Sequence, residues 1–65
     1  MIEPLSERES AVLRLLRTDL SSTGIAQVLH VSVNTVRSHQ KSIYGKLDVH
    51  SRFEAIMRAE ELGLL

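Results

Sequence analysis

Val31-Ser32-Val33-Asn34-Thr35-Val36-Arg37-Ser38-His39-Gln40-Lys41-Ser42-Ile43-Tyr44-Gly45-Lys46-Leu47 is the segment on which the fold turns. Advancing about 100° per residue, Val36, Gln40, Ile43 and Leu47 fall on one face, flanked by Val33 and Tyr44. Asn34, Ser38, Lys41, Ser42 and Gly45 fall opposite, with Thr35, Arg37 and Lys46 at the margins. One half of this cylinder is fit for a core. The other half is small, polar or basic. The spacing predicts a helix capped by Ser32 and running to about Leu47. No Asp or Glu occurs anywhere from Leu20 to Leu47. Phosphates repel carboxylates, so such a segment is a place where a polyanion can dock.

The flanking segments carry the same helical spacing. A second helix is expected from about Ser22 to Leu29, capped by Ser21 or Ser22, with Ile25, Ala26, Val28 and Leu29 as its apolar set. Gly24 near its start costs about 1 kcal/mol relative to Ala, which predicts the least stable helix here. His30 and Val31 make the short turn into the third helix. Nearer the start, Ser6 and Glu9 have the capping-box spacing, and Val12, Leu13 and Leu16 supply a buried stripe. Glu7 and Glu9 in the first turn, with Arg14 and Arg17 in the last, complement the helix dipole. Asp19 is expected to take the left-handed turn that follows.

Beyond the third helix, Asp48 and Val49 turn the chain. Ser51 and Glu54 predict a second capping box opening a fourth helix, with Ala55, Ile56, Ala59 and Leu62 inward. Gly63 stands where a helix end favours a left-handed residue. The fold class is therefore all-α: a four-helix, bundle-like domain that contains a helix-turn-helix.

The 65 residues make one small domain. A chain this size buries only about 60% of its unfolded surface, which disfavours a deep substrate cavity. There is no cysteine, so neither a disulfide framework nor a thiolate metal site is available. His30, His39 and His50 are spaced too irregularly for a zinc site, and no cofactor is expected. No nucleophile elbow or oxyanion loop is present, so no enzyme is expected. No apolar run approaches the roughly 18 residues of a membrane span and no signal peptide precedes the polar start. The expected location is cytoplasmic. Formal net charge is zero, yet it is segregated. Residues 1–20 sum to −1, residues 34–52 to +3 and residues 53–65 to −2.

In a helix-turn-helix the second helix of the pair lies in the DNA major groove while the first crosses the backbone. The groove is about 12 Å wide and admits a helix whose outer side chains are neither bulky nor acidic. Ser38, Ser42 and Gly45 are small, and Arg37 and Lys41 are donors long enough to reach guanine O6 and N7. Ser21, Ser22 and Thr23 cluster at a helix start, where hydroxyls and free N–H groups suit a phosphate. Asn34 and Thr35 are placed to act likewise.

Leu5-Ser6-Glu7-Arg8-Glu9, Leu20-Ser21, Ile25-Ala26 and the run Val31 to His39 together resemble the LuxR-type (GerE-like) DNA-binding domain. The likeness continues through Ile43-Tyr44-Gly45-Lys46-Leu47, Ser51-Arg52-Phe53-Glu54-Ala55 and Glu61-Leu62-Gly63-Leu64-Leu65. The resemblance implies that residues 1–65 are the C-terminal output domain of a longer bacterial transcription regulator. Double-stranded DNA would be its partner, with RNA polymerase a further one, and it would bind as a homodimer through the fourth helix. Carried over by position, Arg37, Ser38 and Lys41 would face bases. Ser21, Ser22, Thr23, Asn34, Thr35, Ser42 and Lys46 would face phosphates.

The chain departs from the family's pattern at four positions. Asp19 and Asp48 stand where glycine is common, which would strain two turns. Gly24 replaces a usual glutamate at the cap of helix two, and His50 replaces a usual base near the DNA backbone. Phe53 and Met57 lie i, i+4 on the fourth helix, beside its inner stripe. They either cover the edge of the core or meet the same surface of a second subunit. Two rival readings are a sigma-factor-like promoter-reading domain and a helical protein-interaction module that keeps the fold.

Overall fold

A computed structural model of the chain describes residues 4–65. Four helices follow one another: α1 (Glu7–Leu16), α2 (Ser22–Leu29), α3 (Val33–Leu47) and α4 (Arg52–Glu61). There is no strand among the described residues. α3 is the hub and packs on α1, α2 and α4. Its inward residues Val36, Ile43 and Leu47 meet Val12, Leu13 and Leu16 of α1, Ile25 and Ala26 of α2, and Ala55 and Ala59 of α4. Small alanines on α4 let that helix lie close, while leucines on α1 fill the volume between.

Each helix begins at a serine. Ser6, Ser21, Ser32 and Ser51 are extended in backbone, and each hydroxyl oxygen accepts the amide three residues on. At α1 the box is reciprocal, because Ser6 N–H also donates to Glu9 Oε1 at 2.9 Å. The expected second box is not. Ser51 Oγ accepts from Glu54 N–H at 3.1 Å, but Glu54 Oε1 accepts from His50 N–H at 3.2 Å rather than from Ser51. The carboxylate thus ties down the residue before the cap.

Three helices end alike. His30 (φ 58°), Asp48 (φ 57°) and Gly63 (φ 73°) are left-handed. The amides of Val31, Val49 and Leu64 then donate to carbonyls five residues back, at Ala26, Tyr44 and Ala59. α1 ends differently, and the left-handed conformation expected of Asp19 does not occur. Arg17 stays right-handed, Thr18 N–H donates to Leu15 O at 3.1 Å, and Thr18 Oγ1 accepts Leu20 N–H at 3.2 Å. Arg52 completes that end from across the domain: its Nε donates to Leu16 O at 2.9 Å and an Nη to Thr18 O at 2.8 Å. Carbonyls that a glycine turn would have satisfied locally are met by a guanidinium instead.

Two apolar expectations need correcting. Val28 is 52% exposed, because α2 turns only Ile25 and Ala26 fully inward. Leu62 is 38% exposed and lies just past α4 as its closing residue, so it is not part of the inner stripe. Gly24 also has a packing reason. A Cβ there would come within 3.0 Å of Leu20 Cδ2, and Leu20 packs against the core.

Candidate nucleic-acid interface

The outward side of α3 is open. Asn34, Arg37, Ser38, Lys41 and Gly45 are exposed, and a Cβ placed on Gly45 would meet nothing within 4 Å. Arg37 and Lys41 are in none of the ion pairs among the described residues. They stand four apart on α3 and line one concavity together with Gln40, Tyr44, Gly45, Asp48, Val49 and His50. Tyr44 is half-buried, and burial pushes its hydroxyl above the usual tyrosine range. It therefore remains neutral at physiological pH.

The serine–threonine cluster at the start of α2 divides its labour. Ser21 is the cap and accepts from Gly24 N–H at 3.2 Å. Ser22 is half-buried, and its hydroxyl donates to Gln40 Oε1 at 3.4 Å, joining α2 to α3. Only Thr23 is both exposed and outside the described side-chain hydrogen bonds. At the start of α3, Thr35 Oγ1 lies 2.9 Å from Ser32 Oγ and is drawn into the cap, whereas Asn34 remains exposed. The Gly24 and Thr35 amides are taken by their serine caps, whereas those of Ser22 and Thr23 and of Val33 and Asn34 have no intrahelical acceptor and keep donors for an anion.

Ser42 and Lys46, expected to face phosphates, both bond Glu9 of α1. Lys46 Nζ lies 2.7 Å from Glu9 Oε1 and 3.3 Å from Pro4 O, and the Ser42 hydroxyl donates to Glu9 Oε2. Both side chains reach sideways to α1. Glu9, only 6% exposed, is the one buried charged residue among the described residues. The Lys46 ammonium, the Ser42 hydroxyl and the Ser6 amide bond its ionised form and outweigh the cost of burial, holding its pKa down from 4.5 to about 2. Glu9 is thus a positioning residue that fixes α3 against α1. Its local capping role was readable from the spacing to Ser6. Its link to Lys46, 37 residues away, left no periodic signal.

Next to the concavity of Arg37 and Lys41 and sharing Val49 with it, Phe53 (71% exposed) and Met57 (47% exposed) line a shallow apolar depression edged by Glu54, Arg58 and Glu61. They do not cover the edge of the core.

The model of bacterial regulatory proteins, luxR family, matches residues 3–59. This chain belongs to the luxR family. The chain is 42% identical over 59 residues to the HTH-type transcriptional regulator MalT of Vibrio campbellii, covering 91% of this chain and 6% of that protein. It is 42% identical over 60 residues to the transcriptional regulatory protein DesR of Bacillus subtilis, covering 92% of this chain and 30% of that one. The solved structure of the transcription factor GerE superposes with a TM-score of 0.87 at 38% identity, over 94% of this chain and 91% of that one. The chain therefore spans under a third of the curated relatives it matches. The luxR-family domain agrees with the resemblance noted along the chain and the four-helix fold with its helical spacing, and membership ties that fold to transcription regulation.

Proposed function

We propose that this domain binds double-stranded DNA sequence-specifically, with α3 in the major groove, as the output domain of a bacterial transcription regulator. The observation that carries this reading is the outward face of α3. Arg37 and Lys41 are exposed there, outside the ion pairs among the described residues, beside Gly45, where an added Cβ would meet nothing within 4 Å. Asp48 closes α3 at the margin of that face, while Glu9, which bonds α3 from α1, is buried and paired with Lys46. Arg37, Ser38 and Lys41 read base edges in this proposal. Ser21, Thr23, Asn34 and the uncapped first-turn amides of α2 and α3 hold phosphates, with Ser22 and Thr35 assisting from their caps. Ser42 and Lys46 meet phosphate only at the rim, since their first partner is Glu9.

The domain acts as a homodimer in this reading. The exposed pair Phe53 and Met57 on α4 is the isologous contact. Two reading helices then fall on half-sites about 10 base pairs apart. RNA polymerase is the further partner, the cytoplasm the compartment, and the domain itself catalyses nothing. Selection of bound fragments from a random duplex pool, at a stated salt concentration, tests the reading. An enriched two-fold symmetric sequence is expected. Recovery of unenriched DNA, with no salt-sensitive binding, would overturn it in favour of a protein-interaction module.

A further inference from the structure

α1 and α2 both lie on α3 but make hardly any contact with each other. An open cleft of about 700 Å³ runs between them, with Leu5, Ala11, Val28 and Leu29 as its apolar lining. We propose that this cleft seats an acidic amphipathic helix of a separate protein, with apolar side chains against Val28 and carboxylates against Arg8 and Arg14. The seat goes beyond the DNA reading. It shares no residue with the concavity of Arg37 and Lys41.

Three observations carry it. The first is shape. Two helices that diverge over a third leave a trough, and the small side chain of Ala11 deepens it. From Glu7 to Arg14 the α1 bank advances about 10 Å at ~1.5 Å per residue. A docked helix that anchors through positions i, i+3, i+4 and i+7 spans about the same length. The second is the apolar surface. Val28 is 52% exposed, and it is the one exposed large hydrophobic residue among those described that lies outside α4 and the residues after it. Leu5 and Leu29 continue its surface into the cleft while resting on the core. A single exposed valine is ordinary, but one continuous with an apolar trough is an unfilled contact.

The third is charge. Glu7, Arg8 and Arg14 are exposed along the cleft, and none of them belongs to the ion pairs among the described residues. Two cations against one carboxylate leave the rim positive, which favours a partner with acids beside its apolar stripe. A second copy of this chain is the poorer occupant. Cleft on cleft sets Arg8 and Arg14 against the like pair of the other copy, and the remaining exposed apolar pair, Phe53 and Met57, is assigned to the α4 contact above.

The test titrates the isotope-labelled 65-residue chain with a synthetic helix of about 15 residues and follows the amide shifts. The peptide carries leucine at i, i+3, i+4 and i+7 with glutamates beside them. A second peptide has lysine in place of each glutamate. The acidic peptide should shift Ala11, Val28 and Leu29, and the lysine peptide should bind roughly fivefold or more weakly. Val28→Ser, and separately the double variant Arg8→Gln with Arg14→Gln, should each weaken the acidic peptide about fivefold while the rest of the spectrum is retained. Shifts centred on Arg37 and Lys41 overturn the proposal, because the peptide is then acting as a polyanion. Equal binding of the two peptides, no binding of the acidic one, or Val28→Ser binding as wild type also overturns it. So does a sedimentation mass that falls on Val28→Ser, which gives the cleft to a second copy. None of these readouts involves DNA, so their failure leaves the reading of α3 standing.

Discussion

Lys46 of α3 holds its ammonium 2.7 Å from Oε1 of Glu9, and the same oxygen accepts the Ser6 amide that caps α1. One carboxylate therefore sets both the start of the first helix and the seating of the third. A base expected from the sequence to face phosphate is thus also part of the frame.

Acid should release that frame. Glu9 has a folded pKa of about 2 against 4.5 unperturbed. A depressed carboxylate contributes stability that is complete above the unfolded value and vanishes as pH falls through the folded one. The window is therefore from about pH 4.5 down to about pH 2, with a loss on the order of 3 kcal/mol. Urea unfolding at stepped pH checks it. Glu9→Gln should flatten this acid limb and, by leaving Lys46 without its partner, cost about 2–4 kcal/mol at neutral pH. An unchanged acid limb in the variant would remove Glu9 as its source.

Arg52→Lys should not behave as a conservative change. The guanidinium bridges the carbonyls of Leu16 and Thr18 with two differently placed donors, a fork that an ammonium does not reproduce. A loss of about 1–3 kcal/mol is expected in thermal or urea unfolding. Hydrogen exchange should quicken at the end of α1 before anywhere else.

Gly45→Ala should separate stability from recognition. Alanine is better by about 1 kcal/mol inside a helix, and here its methyl meets no neighbour. The melting temperature should rise. If α3 sits deep in the groove, the same methyl should weaken DNA binding. Gly24→Ala is the contrast: its Cβ meets Leu20 at 3.0 Å, so the propensity gain is offset and little net stabilisation is expected.

Arg37→Ala and Lys41→Ala should each cost about 1–3 kcal/mol on the selected site and much less on random duplex. Competition binding with both DNAs reads the difference. Equal losses on the two would demote the pair to backbone contacts.

Met57→Glu should lower the sedimentation mass at high concentration, since it puts a charge into the exposed apolar pair on α4. A wild-type domain that is already monomeric under those conditions would dismiss α4 as the contact.

The helices and their caps were legible in the sequence because they are local. Four serines, each placed three residues before a first-turn amide, mark the starts, and the α3 periodicity alone sorts Val36, Ile43 and Leu47 from Arg37 and Lys41. Non-local polar partners were not legible. Glu54 answers to His50 rather than Ser51, Arg52 closes an α1 end that Asp19 was expected to turn, and Ser42 and Lys46 turn to Glu9. Long side chains choose such partners by three-dimensional proximity, which leaves no period to read. The exposure of Val28 was hidden for a related reason: an eight-residue helix packed mainly on α3 buries less than its apolar content allows.

Because α3 touches every other helix along one side and leaves the remainder bare, its two halves can change independently. Val36, Ile43 and Leu47 are committed to folding, while Asn34, Arg37, Ser38 and Lys41 rest on no other helix through an ion pair or a described side-chain bond. A library randomised at those four positions alone can be screened for a new operator without a matching search for rescued folding. Surface substitutions of that kind usually stay within about ±0.5 kcal/mol. If the proposed base contacts hold, the same division would let target preference change while the scaffold beneath stands still.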